Sequence, residues 1–129
     1  MARRSRLGNG LETKLAMAIM AQAHGKTGMR AQAKDIPGNP DFVFDSSKVA
    51  VFADGCRWHG CPVHWVLTET KPDFWRRKML KARRRDVYVT ETLEDMGWRV
   101  IRVWECADFD LAASRILLNV RARAGQGEE

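Results

Sequence analysis

Apolar positions along the chain fall into stretches with helical spacing and stretches with strand spacing. Across residues 11–23, Leu11, Leu15, Ala18, Ile19 and Gln22 lie on or near one helical face, and the abundance of Ala and Met favours helix. Gly25 and Gly28 are expected to end that helix. Ile36-Pro37-Gly38-Asn39-Pro40 predicts a loop, because two prolines and a glycine preclude regular structure. Two apolar runs follow, residues 41–45 and 48–53, divided by the turn-forming Asp45-Ser46-Ser47. They predict two strands of a hairpin. Residues 55–70 predict an irregular loop. Residues 72–96 predict helix, entered through Pro72-Asp73 and closed at Gly97, with a division into two pieces near residues 83–86 left open. Residues 98–104 alternate basic and apolar side chains, the pattern of a strand with one buried face. A last helix is expected over 110–123, then a polar tail over 125–129. The order α-β-β-α-β-α predicts an α/β fold, a small mixed β-sheet flanked by helices.

At 129 residues the chain reads as one domain, 1–129, with residues 1–10 as a basic arm. Five Trp and five Phe within 45% hydrophobic residues are enough for a core, although a chain this small gains from an added staple. Charge narrows the partners. Lys and Arg number 22 against 16 Asp and Glu, giving a net charge of +6 and a pI near 9.7, which suits a polyanion, nucleic acid before membrane. No apolar run approaches the ~20 residues needed to span a bilayer. The start, Met1-Ala2-Arg3-Arg4-Ser5-Arg6, is basic without a following apolar segment, so it reads as a solvated arm and not a secretory signal. Three cysteines are an odd number for a secreted disulfide framework. They point to a reducing compartment, the cytoplasm (the nucleoid in a bacterium), and to a metal site.

Cys56, Cys61 and His64 have the spacing C-x4-C-x2-H, and Cys106 ends the later strand. Thiolates and imidazole are zinc's preferred ligands, and four of them make a closed structural Zn2+ site. That site would tie the loop to the sheet edge. Without a metal, the same cysteines are small buried hydrophobes and His64 a surface residue.

Asp41 begins one predicted strand and Asp54 ends the next. Carboxylates and a backbone carbonyl at a sheet end suit Mg2+, a hard cation that keeps several waters. His59 offers an imidazole able to exchange a proton near neutral pH, and Glu12 on the first helix is placed to join such a site. Each also has an ordinary reading: Asp41 and Asp54 as turn formers, His59 as a polar neighbour of the zinc, Glu12 as a solvated helix residue. From Arg76 to Arg85, seven of ten residues are basic: Arg76, Arg77, Lys78, Lys81, Arg83, Arg84 and Arg85. A helix presenting them would neutralise backbone phosphates. Trp58 and Trp75 are flat aromatics able to stack on or wedge between bases, with core packing as the alternative.

Several blocks in order resemble the very short patch repair (Vsr) mismatch endonucleases. They are Pro37-Gly38-Asn39-Pro40-Asp41-Phe42-Val43, the run from Phe52 through Gly55-Cys56-Arg57-Trp58-His59-Gly60-Cys61-Pro62-Val63-His64, Asp73-Phe74-Trp75, Arg85-Asp86, and Gly97-Trp98-Arg99-Val100 through Trp104-Glu105-Cys106. The resemblance implies a restriction-endonuclease-like fold with a structural zinc held by Cys56, Cys61, His64 and Cys106. It implies Asp41 as the Mg2+-binding catalytic carboxylate, with the Ala53 carbonyl as a second contact. His59 falls on the general acid/base, Glu12 on a glutamate near the active site, and Asp86 on an acid expected to orient His59 or its water. Trp58 and Trp75 match aromatics that wedge into DNA, and a monomer acting on double-stranded DNA is implied. The chain departs from the family's best-known member at Ala53, where that member has Thr, and at Asp54, where it has His. At Asp54 a direct Mg2+ ligand is expected. It also departs at Arg57, where an aromatic wedge is typical. The reading is a hydrolase that nicks one strand of duplex DNA at or beside a T:G mismatch. Alternatives are a restriction-like or phage-type endonuclease cutting unmismatched DNA, in which Arg57 would read guanine, and a non-catalytic zinc-stabilised DNA-binding module.

Overall fold

Val49, Ala50, Val51 and Phe52 are apolar in succession, as in a strand covered on both faces. A computed structural model, which describes residues 10–24, 28–55 and 72–127, places this strand inside a four-stranded sheet. The elements are α1 (Leu11–Gln22), β1 (Met29–Ala31), β2 (Phe42–Phe44), β3 (Val49–Asp54), α2 (Pro72–Asp95), β4 (Arg99–Trp104) and α3 (Phe109–Gly127). The sheet order is β1-β2-β3-β4. β1, β2 and β3 form an antiparallel meander, and β4 joins β3 in parallel.

Alternation along the strands sorts their side chains into two cores. Phe42, Phe44, Val49, Val51, Ile101 and Val103 pack against Leu15 and Ile19 of α1 and Ala113, Ile116 and Leu117 of α3. Val43, Ala50 and Phe52 pack on the opposite face with Leu93 of α2, Trp98 and Ala33. The result is a three-layer α/β fold, as the element pattern predicts. Each fully buried Leu or Ile contributes roughly 1.5–3 kcal/mol of transfer free energy.

Four expectations are corrected. β1 has no counterpart in the sequence reading. It is three residues long and stands at the sheet edge, where pairing with β2 rather than hydrophobic alternation holds it. The strand expected over 41–45 is only Phe42–Phe44, flanked by Asp41 and Asp45. α2 runs unbroken through residues 83–86, because Arg and Ala are good helix formers and its inward stripe continues past them. α3 extends to Gly127, over most of the segment read as a polar tail.

Gly97 ends α2 as expected. It adopts φ 92°, the Trp98 N–H bonds the Leu93 carbonyl at 2.9 Å, and the Gly97 N–H bonds the Glu94 carbonyl at 3.0 Å. This is the left-handed cap that glycine adopts without strain, and it brings Trp98 onto Leu93 in the core.

Candidate active site

The start of β2 and the ends of β1, β3 and β4 lie at one end of the sheet, because β2 runs against its neighbours. There the ladder is interrupted. Alternate residues of an antiparallel pair exchange both backbone hydrogen bonds with the residue opposite. Asp54 turns its carbonyl to β4, where the Glu105 N–H bonds it at 2.9 Å. Ala53 therefore turns its backbone the other way, toward β2. The register that pairs Phe42 with Val51, continued two steps, sets Pro40 against Ala53. Proline has no N–H to give, and the Pro40 carbonyl is engaged by the Ala33 N–H at 3.1 Å. The Ala53 N–H is met instead by Asp41 Oδ2 at 2.7 Å. The Asp41 carboxylate and the Ala53 carbonyl thus share one side of the strand end, and Asp41 is buried. Two hard oxygen donors of this kind fit Mg2+, which binds through one or two carboxylates and keeps waters for the rest.

Asp54, 4% exposed, is engaged elsewhere. Arg102 Nη1 lies 3.2 Å from both of its carboxylate oxygens. The same Nη1 is 3.6 Å from Asp86 Oδ1, and Nη2 reaches the Asp86 carbonyl at 3.5 Å. The guanidinium stacks on Phe52 at 4.3 Å, and its buried Nε has no hydrogen-bond partner among the described residues. Asp54 and Asp86 are brought together, with a cation between them.

Glu12, half-buried at the start of α1, is joined to the sheet by Gln32, whose Nε2 bonds Glu12 Oε1 at 3.2 Å. Gln32 itself sits at φ 54° and gives its N–H to the Asp41 carbonyl at 2.9 Å. Sequence reasoning missed both Gln32 and Arg102. Gln32 carries no signal, since its role depends on a three-residue strand. Arg102 carries one: it shares a strand face with Val100, and a charge on a covered face needs a partner, which Asp54 on the neighbouring strand supplies.

α2 divides by face. Trp75, Met79, Ala82, Asp86, Val89 and Leu93 recur every three or four residues, and all are buried or half-buried. Arg76, Arg77, Lys78, Lys81, Arg83, Arg84 and Arg85 are exposed. Trp75 stands on the inward stripe, edge-on to Phe74 with ring centroids 5.3 Å apart. Cys106 is exposed, just past the end of β4, next to where β3 ends at Asp54. Cys56, Arg57, Trp58, His59, Cys61 and His64 lie outside the described residues. Among the described residues, no three His, Cys, Asp or Glu gather around one metal position.

These features define a small α/β protein with a four-stranded mixed sheet, consistent with a restriction-endonuclease-like layout, and with carboxylates gathered at one end of that sheet. The family model described as DNA mismatch endonuclease Vsr matches residues 1–65, half of the chain, and the chain belongs to that family. It is 36% identical over 98 residues to DNA mismatch endonuclease Vsr of Escherichia coli (strain K12), covering 75% of this chain and 61% of that protein. It is 42% identical over 78 residues to Type II nicking enzyme V.NaeI of Lentzea aerocolonigenes, covering 60% and 47%. With Type II nicking enzyme V.XorIIP of Xanthomonas oryzae pv. oryzae the identity is 41% over 86 residues, covering 65% and 62%. The chain thus matches between about half and two thirds of the length of these relatives.

Proposed function

We propose that the chain is an Mg2+-dependent endonuclease that nicks one strand of duplex DNA at or beside a T:G mismatch, acting in the cytoplasm as a monomer. Family membership supports the nuclease class, and the names of the relatives supply mismatch and single-strand nicking as the reading to test. The observation that carries it is the pairing of Asp41 with the Ala53 backbone at the opened end of the sheet.

In this reading Asp41 and the Ala53 carbonyl hold the cation. Bound there, Mg2+ would neutralise charge on the scissile phosphate and acidify a water. The Ala53 N–H fixes one Asp41 oxygen and so orients the carboxylate. His59 takes or returns a proton at its imidazole. Glu12, held by Gln32, borders the site from α1. The outward cations of α2, from Arg76 to Arg85, bind backbone phosphates without reading sequence, while Trp58 and Arg57 contact the bases; Trp75 stands on the inward stripe instead. Cys56, Cys61, His64 and Cys106 hold a structural Zn2+. Of these, Cys106 supports the reading, since it stands beside the strand end from which the chain continues to Cys56.

The test uses zinc-replete protein and two end-labelled duplexes, one fully paired and one with a single T:G mismatch, with and without Mg2+. Nicking of the mismatched duplex alone, dependent on Mg2+ and lost in Asp41→Asn, is the expected result. Equal cleavage of both duplexes would keep the nuclease and discard mismatch preference. DNA binding without cleavage under any metal would overturn the enzyme reading.

A further inference from the structure

Along β1, Met29 packs against the core beneath α1 and α3, and Arg30, paired with Val43, takes the opposite face. The register that pairs Ala31 with Phe42, continued one step, sets Gln32 opposite Asp41, and the Gln32 N–H donates to the Asp41 carbonyl at 2.9 Å. A regular strand would aim Gln32 with Arg30, away from α1, and Ala33 with Met29, toward it. The structure does the reverse. Ala33 is buried among Val43, Ala50 and Leu93 on the α2 face, and Gln32 Nε2 donates to Glu12 Oε1 of α1 at 3.2 Å. The slip falls at Gln32, whose φ of 54° is left-handed. A residue with a Cβ adopts that conformation at a cost, and such residues gather where a site uses the geometry. Gln32 is exposed, so burial of its own side chain does not hold it there. What the conformation gives it is a pair of contacts, backbone to Asp41 and side chain to Glu12. The second is a charge-assisted bond to a long acid side chain that samples several rotamers unless held.

We propose that Gln32 is a positioning residue for nicking: its left-handed backbone turns the side chain out of the alternation of β1 and so fixes the Glu12 carboxylate of α1 at the strand end that carries Asp41. The proposal rests on the metal-dependent nuclease reading above. It assigns the strained backbone at residue 32 to the reaction and not to the stability of the fold.

Nicking of the T:G duplex by the full chain tests this, with thermal unfolding of each variant and Asp41→Asn run alongside. Glycine at position 32 keeps the left-handed turn, and with it the burial of Ala33, and removes only the side chain. Gln32→Gly is expected to lower the nicking rate at saturating DNA by about tenfold or more, the cost of a misplaced group. Its Tm stays at or above that of wild type, because glycine takes this φ without strain. Gln32→Lys, whose ammonium reaches the same carboxylate, returns most of the rate. Glu12→Ala slows nicking to the same extent, and adding Gln32→Gly to it slows nicking no further. Wild-type nicking in a folded Gln32→Gly overturns the proposal, and so does a loss that adds in full to that of Glu12→Ala. A slowed Gln32→Gly with a lowered Tm and no recovery in Gln32→Lys makes the residue structural and overturns it too. Should Gln32→Gly fail to fold, as judged by circular dichroism, Gln32→Met, similar in length but without a donor, decides: full rate overturns the proposal, and a loss not additive with Glu12→Ala supports it. Where the proposal falls in any of these ways, loss of nicking in Asp41→Asn leaves the nuclease reading standing. A wild type that nicks no duplex removes that reading and the proposal together.

Discussion

Gly38 sets how closely the loop before β2 approaches the helix that covers it. It sits at φ 84°, and a Cβ there would overlap Val89 Cγ1 of α2 and lie 3.4 Å from Phe52. The same loop delivers Pro40 and Asp41 to the sheet end. Gly38→Ala combines left-handed strain with overpacking and is expected to destabilise the fold by about 2–3 kcal/mol. Denaturant titration checks this, and an unmoved midpoint would mean the loop is not held against α2. Arg30 binds the opposite edge together, donating to Asp45 at 2.9 Å and to Asp35 at 2.8 Å. Hydrogen bonds from Arg30 hold both carboxyls below their ordinary value of 3.8. Because the folded values are depressed, the stabilisation is present above that ordinary value and fades as the pH falls through the lowered ones. Solvent screening keeps it small. Wild type is therefore expected to exceed Arg30→Met in stability at neutral pH, and the gap to close as acid protonates both carboxyls. A gap that widened in acid would contradict the pairing.

At the scale of elements, α2 divides into an inward apolar stripe and an exposed basic face. The helix was legible from its Pro72-Asp73 start and Gly97 stop, and so was the density of its basic residues; its inward stripe emerged only from the structure. Arg77, Lys81 and Arg84, with Tyr88, are exposed and spaced four, three and four apart, which aligns them along one side. If that side follows a DNA backbone, replacing Arg77, Lys81 and Arg84 by Ala lowers the slope of log affinity against log salt by about 3, near 0.9 for each phosphate no longer neutralised. Fluorescence anisotropy over a salt series measures it, and an unchanged slope would place the DNA elsewhere. β2, β3 and β4 were legible for a related reason, since each carries a run of apolar residues long enough to show period or burial. β1 was not, because three edge residues centred on Arg30 derive their order from a neighbouring strand rather than from their own pattern. The candidate site divided in the same way. Asp41 and Ala53 were reached through the resemblance and the strand ends. Arg102 and Gln32 act through partners 48 and 20 residues distant, which no local pattern reveals.

For the whole molecule, the parallel ends of β3 and β4 are the junction on which the proposed zinc staple would act, with Cys106 on one strand and the approach to Cys56 on the other. The protein is expected to carry one zinc per chain by elemental analysis. Cys106→Ala should lose it, with a fall in Tm of at least about 10 °C, because a structural metal's binding energy is folding energy. Zinc-free wild type of unchanged Tm would exclude the staple. The same junction has a consequence in time. Val49 pairs with Arg99, fifty residues later in the chain, and bringing such distant segments together costs about 3 kcal/mol of loop entropy. A chain made from its N-terminus holds Asp41 and Asp54 long before Arg102 emerges to pair with Asp54. The arrangement at the sheet end therefore arrives late in synthesis, and a half-made chain bears Asp41 and Asp54 before the cation that pairs with Asp54 has been made.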